Sequence, residues 1–328
     1  MSMRSALTLV LIGLLLVGCN GRINPEPEAT GAMVQVRLTM GYRPDIQFAP
    51  LYVSDKKGYF QDAGIQTEFN HIPETEAVQL VGANELQFAV VSGEQILLAR
   101  AQGLPVVYVM AWWQDYPVAV VAPADSGINI PSDLIGKRVG IPGLYGASYI
   151  GYRALLSAAG VPEESITLDS IGYNQVEALY EGQEDAVVVY ANNEPLQLEA
   201  QGVSVEIIRV ADYVHLTSNG LITNQTVIAE NPDLISRMVE AILNGLNDTI
   251  SDPIQAYEIS KLYVEGLEQA DETVLRGVLN ASIEFWKADR LGYSDPVSWE
   301  NMQMVLLEMG LLNDALDLSQ AFTNEFLP

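Results

Sequence analysis

Residues 34–70 read VQVRLTMGYRPDIQFAPLYVSDKKGYFQDAGIQTEFN, and their pattern indicates the fold class of the protein. Its two ends, Val34–Met40 and Gln66–Asn70, are short runs of the kind that form β-strands. Between them, Ala49–Ala63 has the pattern of a helix. A strand, a helix and a second strand in this order predict a βαβ unit, from which largely parallel sheets are built.

The alternation continues along the chain in two series. The first adds the predicted strands Phe88–Val91, Val106–Met110 and Val118–Ala122 and the helices Thr75–Ala83 and Gly93–Gln102. The second follows a loop at 123–131, with strands Arg138–Ile141, Ile166–Ser170, Ala186–Tyr190 and Val205–Arg209 and helices Ser148–Ala159, Gln175–Tyr180 and Glu194–Ala200. A last strand, Gly220–Thr223, precedes a helical C-terminal third, in which prolines at 232, 253 and 296 mark three helix starts.

We therefore predict an α/β protein of two lobes, each an open sheet flanked by helices. Lobe 1 comprises residues 34–122 and 220–328, including the C-terminal helices, and lobe 2 comprises residues 123–219. Because the chain passes between the lobes twice, near Ala122 and Asn219, we expect a hinge that lets the lobes close around a ligand.

The composition excludes several classes of protein. The chain has 328 residues, with 42 acidic and 16 basic side chains and a net charge of −26. Non-specific nucleic-acid binders neutralise phosphates with Lys and Arg, so this charge excludes that class. A single cysteine, Cys19, excludes an intramolecular disulfide and a Cys-based zinc cluster. His71 and His215 lie far apart without an HExxH pattern, and no GxSxG nucleophile elbow is present, so neither a metal site nor a catalytic triad is favoured.

The start of the chain reads MSMRSALTLVLIGLLLVGC over residues 1–19. One positive charge, Arg4, precedes an apolar stretch, Ala6–Val17, which is shorter than the roughly 20 residues of a spanning helix and is typical of a signal peptide. The stretch ends in Leu16-Val17-Gly18-Cys19, which resembles the lipobox of bacterial lipoproteins. We predict a signal peptide at 1–18, a lipidated Cys19 and a flexible tether over 19–33. A transmembrane anchor with a buried cysteine is the alternative.

Ligands of open α/β sheets bind beyond the carboxyl ends of the strands, so the residues that follow each strand are candidates. They are rich in aromatic and amide side chains, and Arg43 is the only basic residue in the aromatic loops. Aromatic faces stack on a planar ring, while amide and carboxyl groups bind its polar edge. The pattern predicts a flat heteroaromatic ligand that is neutral or weakly cationic. The candidates are Tyr42, Asp45, Gln47, Phe48, Glu94, Trp112, Trp113, Tyr116, Tyr145, Ser148, Asn174, Tyr190, Asn193 and Glu194.

Several candidates have a second interpretation. Neighbours in an extended segment face opposite sides, so only one of Trp112 and Trp113 is expected to stack on a ligand, and Trp113 is favoured. Glu94 could instead cap the helix that begins beside it, where the helix dipole favours a carboxylate. The segment 143–148 could bind an anion at a helix N-terminus, and Asn193-Glu194 could combine a helix cap with a cleft position.

Several stretches resemble a known family. QFAPLYV at 47–53, KGYF at 57–60 and DLIGKRVG at 133–140 are similar to segments of the substrate-binding lipoproteins of ABC importers. The resemblance is to the branch that contains thiamin-pyrimidine precursor binders and fungal pyrimidine synthases. Within this branch, VSGEQ at 91–95 and WWQ at 112–114 look most like riboflavin binders.

The resemblance implies a type II-like periplasmic-binding-protein fold and an extracytoplasmic location with a lipid anchor on Cys19. It also implies a monomer that delivers a flat vitamin, riboflavin first among the candidates, to a permease and its ATPase. A thiamin pyrimidine precursor is an alternative ligand, as are nitrate, sulfonates and taurine, although an anion should recruit more basic groups than Arg43. The fungal synthases use a histidine as pyrimidine source and a cysteine-rich iron site. Because no cysteine follows Cys19, the resemblance favours a receptor without a cofactor over an enzyme.

Overall fold

The computed structural model describes residues 33–328. The predicted signal peptide, the lipidated Cys19 and the tether up to residue 32 lie outside the described residues. Within the described part of the chain, no helix combines the length and the apolar character needed to cross a membrane.

The strands form two mixed sheets. In chain order they are β1 (Val34–Met40), β2 (Ile65–His71), β3 (Phe88–Val91), β4 (Val106–Ala111), β5 (Val118–Pro123), β6 (Arg138–Ile141), β7 (Thr167–Ser170), β8 (Ala186–Tyr190), β9 (Val205–Arg209) and β10 (Gly220–Asn224). The first sheet has the order β2-β1-β3-β10-β4 and the second β7-β6-β8-β5-β9. In the first, β1 is parallel to β2 and β3, and β10 is antiparallel to β3 and β4. In the second, β6 is parallel to β7 and β8, and β5 is antiparallel to β8 and β9.

Helices flank both sheets. They are α1 (Ala49–Lys56), α2 (Tyr59–Asp62), α3 (Glu74–Gly82), α4 (Gly93–Ala101), α5 (Gly146–Ala159), α6 (Gln175–Tyr180), α7 (Glu194–Ala200), α8 (Gln225–Glu230), α9 (Pro232–Ser251), α10 (Pro253–Ser260), α11 (Glu272–Trp286) and α12 (Pro296–Glu308). As expected, prolines stand in the first turns of α9, α10 and α12. At these positions the missing N–H group would have had no helical partner, and the fixed φ angle suits the helix.

The prediction of one helix over Ala49–Ala63 was wrong, because the chain breaks at Gly58 into α1 and α2. Gly58 adopts φ 83°, a left-handed conformation that is costly for a residue with a side chain. The separate helix α11 did not follow from the proline pattern, because it starts without proline. Its signal is Asp271, whose Oδ1 accepts hydrogen bonds from Thr273 N at 2.8 Å and Val274 N at 3.2 Å.

The strand at Val118–Ala122 was predicted in the first lobe, but β5 pairs with β8 and β9 of the second sheet. The chain therefore first crosses between the sheets at residues 112–117, before Ala122, and it returns at residues 210–219. Because β5 is apolar on both faces, its sequence carries no signal for its neighbours. Which residues move together as a lobe stays a prediction.

Close helix packing fixes the segment that follows β1. α1 lies against α9, where a Cβ atom on Gly245 would stand 2.0 Å from Ser54 Oγ, so only glycine permits this approach. Ser54 Oγ lies 2.9 Å from the carbonyl oxygens of Pro50 and Ala241 and so links the two helices. This packing holds the start of α1, and with it Gln47 and Phe48, at the end of the first sheet.

Candidate functional site

Loops at the carboxyl ends of the two sheets meet each other. Asn192, after β8, donates from Nδ2 to Gln47 Oε1, after β1, at 2.7 Å. The rings of Tyr42 and Tyr173 meet edge to face with their centroids 5.5 Å apart. The structure therefore brings candidate residues from both sheets together, as the rule for strand ends predicts.

An open groove of about 370 Å³ lies where these loops meet. Four of the predicted residues line it, namely Tyr42, Asn174, Asn193 and Glu194. The other lining residues are Arg43, Tyr173, Gln175, Val176, Glu177, Tyr180, Glu181, Gln197 and Gln201. Sequence reasoning did not select Tyr173, although it stands directly beside Asn174. Arg43 is the only basic side chain among the lining residues, so the groove offers little attraction to an anion.

Tyr42 sits at a strained turn at the end of β1. Its backbone φ is 65°, in the left-handed region that residues other than glycine seldom occupy. The Nδ1 atom of His71, at the end of β2, lies 3.1 Å from the Tyr42 carbonyl oxygen and donates to it if that nitrogen carries the proton. Burial lowers the pKa of His71, so a neutral ring is favoured. His71 therefore supports the backbone turn that places Tyr42 at the groove.

A cluster of aromatic side chains connects the candidate residues with the C-terminal helices. Trp112 and Trp113 are 2% and 4% exposed, so neither indole is an open stacking surface. The Trp112 ring lies 5.6 Å from both Phe48 and Trp286, and the Trp113 ring lies 5.8 Å from Trp286. Trp113 also contacts Tyr190 of the second sheet at 6.1 Å. Sequence reasoning missed Trp286, because its spacing within α11 is typical of an ordinary core residue.

Asn192 belongs to a buried polar network that joins three parts of the chain. Asp45 Oδ1 accepts hydrogen bonds from the backbone N of Gln47 at 3.0 Å and from its Nε2 at 3.1 Å. Asn192 Nδ2 donates to Gln47 Oε1 and, at 2.8 Å, to Ser282 Oγ on α11. Asn192 Oδ1 is buried and has no partner within residues 33–328. Burial raises the pKa of Asp45.

A second polar cluster lies between β3 and α4. Ser92 Oγ lies 2.5 Å from Glu74 Oε2 and 2.5 Å from Glu94 Oε1. Burial, and then the nearby Glu74, raise the pKa of Glu94 to about 7. Glu94 is fully buried, and its Oε2 atom has no hydrogen-bond partner in the described part of the chain. Its place in the first turn of α4 fits the helix-cap interpretation, which does not account for the unpartnered oxygen.

Glu194 occupies the first turn of α7. Its Oε2 accepts from the backbone N of Tyr190 at 3.0 Å, and its Oε1 accepts from Asn193 Nδ2 at 3.3 Å. Burial raises its pKa to about 7. Glu194 thus closes the turn between β8 and α7 while it also lines the groove.

Ten of the fourteen predicted residues do not line the groove, among them Tyr145, Ser148 and Tyr116. Tyr145 is 71% exposed, and its ring covers Gly143, where a Cβ atom would stand 2.5 Å from it. Ser148 lies partly buried near the start of α5. Tyr116 is buried and donates from its hydroxyl to the Ala147 carbonyl oxygen at 2.9 Å. The described residues contain no cluster of three or more His, Cys, Asp or Glu side chains suited to a metal ion.

A family model, described as NMT1/THI5 like, matches residues 45–256. This chain belongs to the NMT1/THI5-like family. One relative is the riboflavin-binding protein RibY of Chloroflexus aurantiacus, which is 38% identical over 93% of this chain and 89% of that protein. Another is a 4-amino-5-hydroxymethyl-2-methylpyrimidine phosphate synthase of Legionella pneumophila, which is 23% identical over 90% of this chain and 92% of the synthase.

The fold of this NMT1/THI5-like protein is also found among solved structures. The periplasmic aliphatic sulphonate binding protein SsuA of Escherichia coli matches with a TM-score of 0.73 and 13% identity, over 88% of this chain and 96% of that chain. At this identity the likeness shows the fold alone. The predicted α/β periplasmic-binding-protein fold is confirmed, as is the resemblance to the pyrimidine-related branch of binding proteins. Relatives and fold together indicate a binding protein.

Proposed function

We propose that this NMT1/THI5-like protein is the extracytoplasmic solute-binding lipoprotein of an ABC importer and that it binds riboflavin between its two sheets. The observation that carries the proposal is the groove, where Tyr42 and Tyr173 approach from opposite sheets and Arg43 is the only basic lining residue. Asn174, Gln197 and Gln201 also line the groove and carry amide atoms for the edge of a ring. The name of the 38% identical relative supports riboflavin over other flat ligands.

The energetics of a bound tricyclic ring are favourable. Burial of roughly 300 Å² of apolar surface contributes on the order of 7 kcal/mol at about 25 cal/mol/Å². The loss of translational and rotational freedom offsets much of this gain. Each aromatic pair adds about 0.5–1.5 kcal/mol, and each hydrogen bond at the edge adds about 1 kcal/mol. Submicromolar binding therefore requires both the stacking and the edge contacts.

Delivery of the ligand requires partners outside this chain. The receptor acts as a monomer, and its lobes close around riboflavin by rotation about the crossings at 112–117 and 210–219. Closure presents the permease and its ATPase with a surface that the open form lacks, so transport depends on occupancy. The protein binds its ligand, delivers it to the permease and catalyses no reaction on it.

The lipid anchor on Cys19 has its own test. Cys19→Ser should leave an unprocessed precursor that does not incorporate labelled fatty acid, because the lipid is attached to the thiol. The mature wild-type protein, analysed beside it, should carry the label. A processed and labelled Cys19→Ser protein would contradict the anchor.

Calorimetric titration of ligand-free, refolded protein tests the ligand. Riboflavin should bind with submicromolar affinity and lose its fluorescence, whereas the thiamin pyrimidine precursor and taurine should bind weakly or not at all. Tyr173→Ala should weaken riboflavin binding by about tenfold, in line with a lost stacking partner. Tyr213→Ala is the control, because Tyr213 is 40% exposed and does not line the groove. If riboflavin gives neither heat nor quenching while the pyrimidine binds, the riboflavin assignment fails and a pyrimidine receptor replaces it.

A further inference from the structure

One serine hydroxyl lies between the carboxyl groups of the buried Glu94 and the half-buried Glu74. Ser92 Oγ stands 2.5 Å from an oxygen of Glu74 and 2.5 Å from an oxygen of Glu94. A hydroxyl has one proton and can donate it to only one of the two oxygens. The second short contact therefore needs a proton that comes from a carboxyl group.

The remaining contacts indicate which carboxyl carries that proton. Glu74 accepts a hydrogen bond from Ser92 N at 3.1 Å and a long one from Asn219 Nδ2 at 3.4 Å, as an ionised group does. Apart from the Ser92 contact, Glu94 receives a long contact from Gln95 Nε2, at 3.4 Å on Oε1, and one from its own backbone N–H group, while its Oε2 has no partner in the described part of the chain. Burial and the nearby Glu74 raise its pKa. Within residues 33–328, neither carboxyl forms an ion pair with a basic side chain. The proton therefore belongs on Glu94.

In this structure Glu94 is buried and does not line the groove, so a ligand reaches it only as the two sheets move apart. We propose that Glu94 then binds the ligand as a neutral carboxylic acid and that its unpartnered Oε2 atom accepts an N–H group from the edge of the bound ring. Its protonated Oε1 donates to Ser92 Oγ, which in turn donates to the Glu74 carboxylate. The ligand class is a neutral heterocycle with a ring N–H, such as an imide or lactam. This inference rests on the proposed function for the identity of the ring.

The surroundings of Glu94 support a neutral acid. The charged or titratable groups that face it are Glu74, Tyr116 and Tyr190, and no cation is among them. Burial, together with the two carboxyl groups, holds the pKa of both tyrosines well above 10, so they stay uncharged. A ligand that excludes water from this site would make an ionised Glu94 still less favourable, because a buried charge loses its hydration.

The affinities of two Glu94 variants for two flavins show whether Glu94 binds the ligand as a neutral acid or as a carboxylate. Glutamine has the shape of the protonated acid, donates to Ser92 and keeps an acceptor oxygen, so Glu94→Gln should bind riboflavin at least about tenfold more tightly than Glu94→Ala. A flavin methylated at the imide nitrogen should lose affinity for the wild type but not for Glu94→Ala. Glu76→Gln, on the exposed side of α3, is the control for loss of a carboxyl group.

The direction in which riboflavin affinity changes with pH also tests whether Glu94 is protonated when it binds. Wild-type affinity for riboflavin should fall as the pH rises from about 6 to about 8.5, because deprotonation of Glu94 places two carboxylates on one hydroxyl. Glu94→Gln should show no such fall. Affinity that rises with pH, or Glu94→Gln as weak as Glu94→Ala, would overturn the proposal.

Infrared spectroscopy tests the proton without any ligand. At neutral pH the wild-type protein should show the carbonyl stretch of a protonated carboxyl group, and Glu94→Gln should lose the part of that band that Glu94 contributes, while Glu194 keeps its own part. If Glu94 contributes to the band and riboflavin does not bind, the proposed function fails while the shared proton stands. If Glu94 contributes nothing to the band, the inference fails even where riboflavin binds.

Discussion

Glu94 and Glu194 occupy corresponding positions in two sheets of the same design. β3 and β8 each lie third in the spatial order, and each is followed by a helix whose first turn holds the glutamate. Burial raises the pKa of both to about 7. Glu194 accepts hydrogen bonds on both oxygens from its own turn, whereas Glu94 Oε2 finds no partner among the described residues. The same position therefore builds a turn in one sheet and leaves an acceptor for a ligand in the other.

The two sheets also receive their fourth strand in the same way. In the first sheet the fourth strand is β10, which begins directly after a crossing segment and pairs antiparallel with β3. In the second sheet the fourth strand is β5, which also begins directly after a crossing segment and pairs antiparallel with β8. Trp112 N and Trp113 N donate to the Asn219 carbonyl oxygen at 3.1 and 3.0 Å, so the crossings are hydrogen-bonded to each other. Any motion of the lobes must act on this pair of segments.

The largest expected effect comes from a change at the start of β10. A Cβ atom on Gly220 would stand 2.2 Å from the Met110 carbonyl oxygen and equally close to the Tyr108 ring. Gly220→Val should therefore lower the free energy of unfolding by about 3 kcal/mol, because backbone must move to accept the side chain. Urea denaturation measures the loss.

Gly277→Ala is the matched control for that change. Gly277 lies within α11, and a Cβ atom there would meet Leu196 at an ordinary 3.7 Å. Alanine should leave the protein as stable as before or stabilise it by up to about 1 kcal/mol, since alanine is the better helix former. Equal stability of Gly220→Val and wild type would show that the first sheet tolerates a side chain at this crossing.

The next effect separates the two glutamates by pH. In the folded protein Glu94 binds its proton with a pKa of about 7, against a reference value of 4.5. The folded state therefore holds more protons between these values, and the free energy of unfolding falls as the pH rises through that window. At about pH 8, Glu94→Gln should raise it by roughly 1–3 kcal/mol, and at about pH 4 it should change little.

Glu194→Gln should gain less than Glu94→Gln at the higher pH, because both oxygens of Glu194 accept hydrogen bonds and a glutamine amide keeps only one acceptor. Thermal or urea unfolding at both pH values measures the difference, with Glu76→Gln as an exposed control. Equal gains at the two positions would show that the unpartnered oxygen of Glu94 makes no difference to its ionisation.

A smaller effect concerns the hydrogen bond between the two sheets. Asn192→Ala removes the 2.7 Å hydrogen bond to Gln47 Oε1, which contributes about 1 kcal/mol to the contact between the loops of the two sheets. Small-angle scattering should show a larger radius of gyration for this variant without ligand than for the wild type, and riboflavin should reduce it. Gln225→Ala is the control, because Gln225 does not line the groove and its Nε2 donates to Gln320 Oε1, at 3.1 Å, within the same predicted lobe. A radius unaffected by both the variant and riboflavin would contradict the hinge.

The sequence predicted the elements better than their pairing. β1, β3, β6, β8 and β9 begin and end where the sequence predicted. β3 and β8 are apolar and almost entirely buried, whereas β1 and β9 contain exposed polar residues between buried or half-buried apolar ones. The sheet to which β5 belongs was not predictable, since hydrogen bonding between strands leaves no mark in an apolar run. The helix break at Gly58 could have been found, because a glycine after Lys57 is a common helix end.

The candidate site was predicted only where it follows strand ends. Tyr42, Asn193 and Glu194 were found by that rule, and they line the groove. Ser282 and Trp286 reach the neighbourhood from α11, far along the chain, and nothing in their local spacing distinguishes them from core residues. The pairing of Glu74 with Glu94 through Ser92 depends on the packing of α3 beside β3, which periodicity does not reveal.

The smallest expected effect is the effect of ionic strength on riboflavin affinity. It tests whether the groove between the two sheets recognises the shape of the ligand or its charge. Riboflavin is neutral, and Arg43 is the only basic residue among those that line the groove. The Arg43 guanidinium lies 5.3 Å from the Tyr42 ring centroid, so its charge is directed to an aromatic face. Raising the ionic strength from about 0.05 M to about 0.5 M shortens the range of charge interactions severalfold but leaves stacking untouched, so Kd should change by less than about twofold. An anion held by Arg43 would instead lose affinity steeply, and Arg43→Gln would abolish that dependence. Riboflavin affinity could instead fall tenfold over the same range in the wild type and stay constant in Arg43→Gln. That result would mean that Arg43 binds the ligand through its charge, and it would contradict a neutral ring held between the two sheets by stacking.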